Sequence, residues 1–534
     1  MSSPRRSHLL GWFVAGACGV VLLVSPQASP LIPPLAALAL LALTRSAGWS
    51  LLAGSLLGVA LLTPGPLWTV PGVWLREHLG PALTSSWHWS ALLFTLLLAA
   101  FAAVVDRSGA LAALLQRLTR TAPSGGAGQR FQLAIVSLGL ICFFDGLANA
   151  LMLGRVGRSL ADRCGVTREK LAYLVDTTSS AVACVAFLST WSVFQLTLIS
   201  QELADSPFSE PAYLLFLKSI PTNFYCLGSL LLVVLAARWN WCPPPMKGSR
   251  ARRPPQTAEA TLPLDKDGWL PTVGPLAILL FSVPLAFWIV GGEGSLPSSL
   301  ASIQQAFATS RGPYALILAG ALALAGALLC FPKKRWGEGL RAIPEGVRSI
   351  LPALLVLVLA WTLGSTLSAL GTGAYLAGLL GENFPLSYLP GATFLLSCLI
   401  AFATGTSWGT MALMMPLALG TFLTMHDESA LEVASAAPLL PAIIGAVFGG
   451  AVFGDHASPF SDTTIVSALA CDITTTAHVA TQLPYAGLAA AMALLLGYLP
   501  LAWGLPPGLT AVLPLAGIAL VVLFTRKKFS LNEE

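Results

Sequence analysis

Residues 438–475 read PLLPAIIGAVFGGAVFGDHASPFSDTTIVSALACDITT. The stretch is apolar enough for a bilayer but too long for one straight span, which takes about 20 residues. Its centre, Gly454-Asp455-His456-Ala457-Ser458-Pro459-Phe460-Ser461-Asp462-Thr463-Thr464, holds two acids, a histidine and four hydroxyls. Gly454 and Pro459 interrupt a helix and free backbone carbonyls. A carboxylate at membrane depth is expensive, so it faces protein or a water-filled cavity and marks a functional site by default. The run therefore reads as a broken membrane helix with a site at the break.

The rest of the chain agrees. It has 534 residues, 55% apolar and 10% charged, with a mean hydropathy of +0.77. Soluble domains carry about 25% charged residues. Other candidate spans are 9–24, 31–43, 47–63, 90–105, 171–200, 213–237, 270–291, 314–331, 350–370, 483–503 and 511–525. The run 171–200 is also too long for one helix and contains a polar cluster. Two further apolar stretches, 131–153 and 389–423, are interrupted at Phe143-Phe144-Asp145-Gly146 and at Thr404-Gly405-Thr406-Ser407-Trp408-Gly409-Thr410. Ser3-Pro4-Arg5-Arg6 before 9–24 has the look of a signal peptide, but the many spans that follow favour a first membrane helix with basic flanks. The nine cysteines are scattered without a C-x-x-C pair, against a disulfide framework or a zinc site.

Basic residues set the topology, because cytoplasmic loops retain them. With the N-terminus inside and 131–153 and 389–423 as re-entrant hairpins, 26 of the 29 Lys and Arg fall on the cytoplasmic side. Only Arg76, Lys218 and Arg311 fall outside. If both stretches crossed fully, loops 155–170, 238–269 and 332–348 would export sixteen positive residues. The expected fold is thus an all-α polytopic membrane protein. It has about twelve transmembrane helices in two inverted-topology repeats, with two hairpins and broken helices. An extra helix lies in 1–30 and the first repeat spans 31–237, with its hairpin at 131–153. A Pro-rich basic cytoplasmic linker follows at 238–269. The second repeat spans 270–503, with its hairpin at 389–423, and 504–534 forms a last helix with a basic tail.

Four acids fall inside the expected spans: Asp145, Asp176, Asp455 and Asp462. Asn149, Thr177 to Ser180, Ser458, Ser461, Thr463 and Thr464 cluster around them, and Thr404, Thr406, Ser407 and Thr410 form the centre of the second hairpin. Oxygen-rich sets of this kind suit a hard cation such as Na⁺. Some of these residues have plainer readings. Asp176 near its helix start caps that helix or pairs with Arg168 or Lys170; lone hydroxyls back-bond to carbonyls; His456 relays a proton or only orients Asp455; His478 belongs at the cytoplasmic boundary. Gly405-Thr406-Ser407-Trp408-Gly409 fits the G-x-S-x-G pattern of a hydrolase nucleophile, but that motif needs a strand before it and here membrane sequence flanks both sides. There is no Walker A sequence for an ATP-driven motor, no G-x-G-D protease motif and no nucleic-acid-binding region. The chain reads as a secondary transporter rather than an enzyme.

The run Phe144-Asp145-Gly146-Leu147-Ala148-Asn149, the stretch from Arg168 to Thr178, Ser189-Thr190-Trp191, Thr404 to Thr410, Gly454 to Thr464 and Thr481-Gln482-Leu483-Pro484-Tyr485 resemble the NhaC family of Na⁺/H⁺ antiporters over roughly 90–500. The resemblance implies sites at the hairpin tips and helix breaks and elevator-like movement in a homodimer. It also implies a cell membrane of bacterial inner or plasma type, with both termini cytoplasmic. The chain departs from the family at Gly146, where a second acid adjoins the first, and at Ala181-Val182 in place of Ala-Pro. The expected ion-binding and proton-carrying residues are Asp455, Asp462, Asp145, Asp176, Asn149, His456, Thr404, Ser407, Ser461 and Thr463. Na⁺ is expected at Asp455, Asp462, Asp145 and Asn149. No cofactor is expected, and Na⁺ and H⁺ are the transported ions. A sodium-coupled symporter or exchanger of an amino or organic acid is the alternative. A channel is a weaker one, since a filter needs a ring of copies.

Overall fold

In hydrocarbon every backbone N–H needs an internal partner, so apolar runs become helices and stop where Pro, Gly or a capping side chain supplies another partner. The computed structural model describes residues 26–529 apart from 45, 110–113, 116–125, 188, 204–205, 209, 249–269, 292–311, 381–383 and 429–432. The expected helix 9–24 and most of the expected linker 238–269 lie outside the described residues. The main helices are α1 (Ile32–Thr44), α2 (Ala47–Leu62), α3 (Ser86–Ser108), α4 (Ala127–Ile141), α5 (Gly146–Arg163), α6 (Arg168–Val185), α7 (Thr190–Glu202), α8 (Ala212–Ser219), α9 (Phe224–Arg238) and α10 (Leu270–Gly291). They continue with α11 (Gly312–Leu329), α12 (Trp336–Ala369), α13 (Thr372–Leu380), α14 (Leu389–Thr404), α15 (Ser407–Glu428), α16 (Leu439–Ala457), α17 (Asp462–Ala470), α18 (Thr475–Met492) and α19 (Pro507–Phe529). The described residues hold no strand. Among the described residues, eight helices are long and apolar enough to cross a membrane, or nine if the bent pair α8–α9 counts as one span. The protein is a multi-pass, all-α membrane protein.

All four expected interruptions are present. α4 gives way to α5 across 142–145, α6 to α7 across 186–189, α14 to α15 at Gly405-Thr406, and α16 to α17 across 458–461. Two elements differ from the sequence reading. The run 213–237 is bent by 47° between α8 and α9, because Pro221 stands in the turn and the Asn223 side chain caps α9 by accepting from Cys226 N at 3.2 Å. α12 begins at Trp336, inside the segment 332–348 that reads as a loop. Its first turns are amphipathic: Gly339, Ala342 and Gly346 are buried while Arg341, Glu345 and Arg348 are exposed, so charge content concealed a helical period.

Close packing depends on small residues, as in other membrane helix interfaces. α14 lies against α16 where a Cβ on Gly450 would fall 2.4 Å from Ser397 Cβ, and one on Gly454 2.3 Å from Ala401 Cβ. α5 packs on α17 and α15 packs on α7. The turn between α5 and α6 is fastened by Arg168, which donates to Asp162 from Nη2 at 2.8 Å and to Asp472 beyond α17 from Nη1.

Candidate ion site

The site is assembled by the ends of half-helices. Asp145 is the N-cap of α5: its Oδ1 accepts from Ala148 N at 2.8 Å and its Oδ2 from Thr190 Oγ1 at 3.3 Å. Thr190 N donates to Phe144 O at 3.0 Å, so the α4–α5 tip is bonded to the α6–α7 break. The α14–α15 tip is seated in a comparable way. Gly405 adopts φ +70° and lies so close to Phe460 that a Cβ would come within 2.7 Å of its carbonyl carbon. Thr406 Oγ1 accepts from Gly409 N at 3.1 Å at the start of α15.

A cavity of about 340 Å³ lies between the two tips. Its wall includes Asp145, Leu147, Thr190, Trp191, Thr406, Ser407, Trp408, Phe460, Asp462 and Thr463, closed on one side by Ile350 to Val356 of α12 and by Ser46 to Gly48. The N-termini of α5, α7, α15 and α17 all reach it. Each contributes partial positive charge, which sustains the two wall carboxylates, Asp145 and Asp462, or attracts an anion.

Asp455, at the end of α16, is 2% exposed and stands behind this wall. Its Oδ1 accepts from Ser461 Oγ at 2.7 Å, and Ser461 lies 3.3 Å from Thr463 Oγ1. Its backbone carbonyl accepts from Thr464 Oγ1, and Ser407 lies beside the carboxylate. By bond length and angle Oδ2 has no hydrogen-bond partner in the protein. Asp455, Asp462, Asp145, Ser407, Ser461 and Thr463 thus belong to one locality that joins the α4–α5 and α14–α15 tips.

The other expected site residues lie elsewhere. Asn149 does not line the cavity; its Nδ2 donates to Gly139 O and Thr178 O, both at 3.0 Å, tying α5 to α4 and α6. Thr404 back-bonds to Ile400 O at 2.7 Å. His456 is held between Tyr225 Oη at 2.8 Å and Ser180 Oγ at 2.9 Å. Asp176 pairs with neither Arg168 nor Lys170: Arg168 is on Asp162 and Asp472, and Lys170 Nζ donates to Trp241 O at 2.9 Å and Tyr485 Oη at 3.1 Å. Asp176 accepts instead from Ser467, His478 and Gln482. His478, in the first turn of α18, is therefore buried on a carboxylate. Thr190, Trp191, Trp408, Phe460 and Gln482 stand in the motif runs as uncharged members with no signal of their own, and Tyr225 and Ser467 lie outside those runs.

Apolar spans, half-helix termini and acids around a shared cavity define a membrane transporter. Residues 182–503 match the model of the Na⁺/H⁺ antiporter family, and the chain belongs to that family. It is 29% identical to an uncharacterized protein of Haemophilus influenzae over 93% of this chain and 95% of the other. It is 32% identical to a malate-2H⁺/Na⁺-lactate antiporter of Bacillus subtilis over 27% of this chain and 28% of that one. Among solved structures, the YdaH transporter of Alcanivorax borkumensis, described as having an unusual topology, shares the fold. The TM-score is 0.50 at 15% identity, covering 84% of this chain and 89% of that one.

Proposed function

We infer that the protein exchanges Na⁺ for H⁺ across the membrane, with cation and protons competing for Asp455, Asp462 and Asp145 as the site turns from one face to the other. One observation carries this reading: the α4–α5 and α14–α15 tips and the α6–α7 and α16–α17 breaks meet at one cavity walled by Asp145 and Asp462, with Asp455 directly behind. A carboxylate oxygen without a protein donor, Asp455 Oδ2, is what a cation or a proton would occupy. The reading includes inverted repeats over 31–237 and 270–503, re-entrant hairpins and cytoplasmic termini. It also includes a homodimer in a bacterial inner or plasma membrane. The repeats draw support from reciprocal packing, in which α5 lies on α17 and α15 on α7.

The test uses everted vesicles from antiporter-deficient cells with an imposed inside-acid gradient and a pH-sensitive dye. Na⁺ should dequench the dye with the wild type and not with Asp455→Asn. Dequenching that persists in Asp455→Asn would remove that residue from the site. No response to Na⁺, Li⁺ or K⁺ from inserted protein would turn the reading to its alternative, sodium-coupled movement of a small organic or amino acid. That alternative has its own support. The cavity, about 340 Å³ with Trp191, Trp408 and Phe460 on its wall, is far larger than a bare ion, and four helix N-termini suit a carboxylate. Proteoliposome uptake of such acids under a sodium gradient would then decide.

A further inference from the structure

The chain buries a second polar centre that has no task in the cavity. Asp176, midway along α6, is fully buried. Its Oδ1 accepts from Ser467 Oγ at 3.1 Å; its Oδ2 accepts from Gln482 Nε2 at 2.8 Å and lies 3.3 Å from His478 Nε2. Among the described residues, no Lys or Arg side chain is paired with it. A carboxylate buried this completely needs hydrogen-bond donors or an opposite charge, and His478, itself fully buried, is the group in contact that can take up a positive charge. With Nε2 turned to Asp176, the other ring nitrogen, Nδ1, is buried and has no partner. It is the atom that can gain or lose a proton without breaking the contact.

A small cavity meets this centre at Gln482, with Tyr173, Thr177, Ser229, His456 and Tyr485 also on its wall. It has room for about one water molecule. Tyr173 Oη and Gln482 Oε1 are buried without protein partners, and buried polar atoms around a water-sized space mark an ordered water. On one side Tyr173 stacks on Tyr485 at 3.8 Å, and Tyr485 Oη bonds Lys170 and Trp241. Trp241 in turn bonds Thr525, next to the basic run Arg526 to Lys528. On the other side Ser180 Oγ links the Asp176 carbonyl to His456, which Tyr225 also holds, beside Asp455. The remaining titratable neighbour is Cys471 at the end of α17.

We propose that Asp176 and His478 form a proton-carrying pair, served by one water held at Tyr173 and Gln482, so that protons reach the ion site by a path through the helix interior that the cation does not take. Uptake of a proton on His478 Nδ1 converts a neutral ring beside a carboxylate into an imidazolium–carboxylate pair; release restores the neutral ring. No other bond changes. The proposal rests on the Na⁺/H⁺ reading above.

The test places full-length protein in proteoliposomes and reads two activities: Na⁺-driven proton movement, and exchange of radiolabelled Na⁺ for Na⁺ with no pH gradient. Asp176→Asn, His478→Gln and Tyr173→Phe are each expected to lose proton movement and keep Na⁺/Na⁺ exchange, whereas Asp455→Asn loses both. Tyr173→Phe removes only a hydroxyl that bonds nothing in the protein and keeps the ring stack, so its loss of proton movement has no packing explanation. Proton movement at the wild-type rate in Tyr173→Phe and His478→Gln would overturn the separate path. So would loss of Na⁺/Na⁺ exchange in folded Tyr173→Phe. Absence of Na⁺-driven proton movement from the wild type itself would overturn the exchange reading and this proposal with it.

Discussion

Single side chains here divide into those that face the cavity and those that hold the frame, and residue type alone does not separate them. Asn149 is a polar residue four positions after Asp145, which makes it a reasonable ligand on sequence grounds. In the structure its amide bridges the carbonyls of Gly139 and Thr178. The helices pack closely here: a Cβ on Gly139 would meet Thr178 Oγ1 at 2.1 Å. Asn149→Ala removes one donor from each carbonyl and is expected to cost about 2 kcal/mol. Thermal unfolding in detergent would show this as a lowered midpoint, with Na⁺ affinity retained by the folded fraction; unchanged stability with lost Na⁺ binding would return Asn149 to the site. Asp176 teaches the same lesson from the other side. The sequence places Arg168 and Lys170 near it, but side chains about two turns away on a helix compete with every element packed around it. His478 and Gln482 arrive from α18, some three hundred residues later, and no local pattern announces them.

Helix breaks were more legible than side-chain partners, because they obey local chemistry. A membrane helix cannot stop without another donor or acceptor for its last turns, so Asp145-Gly146, Gly405-Thr406 and Ser458 to Ser461 had to appear as interruptions. The bend at Pro221 and the amphipathic start of α12 were missed because the first is one proline in an apolar run and the second is rich in charge. The α14–α15 tip depends on one residue in particular. Gly405 has a left-handed φ of +70° and no room for a Cβ against Phe460. Gly405→Ala combines backbone strain with a steric clash and is expected to displace Ser407 and Trp408 from the cavity wall. Transport should fall severely while the protein still inserts and folds, as judged by size-exclusion profile. Wild-type transport in Gly405→Ala would show that the tip need not be seated on Phe460 for the cycle.

Across the assembled chain, the two halves meet at more than the cavity. Arg168 contacts Asp162, which is 4% exposed, from its own turn and Asp472 from the far half. Arg168→Gln leaves the buried Asp162 carboxylate uncompensated and is expected to cost about 3 kcal/mol. The corresponding measurement is the unfolding midpoint of the purified protein, and a shift within error of the wild type would mean that water compensates Asp162. The reach of sequence reading ended at this level too. Hydropathy located the apolar helices, but pairing between halves needs distances that no periodicity contains.

That arginine also bears on how the protein can move. Asp162 sits at the foot of the helix that carries Asp145, and Asp472 at the foot of the helix that begins with Asp462. One guanidinium therefore couples the supports of the two wall carboxylates. A displacement of one wall acid away from the other would break this contact, so the guanidinium favours motions that keep the two supports together.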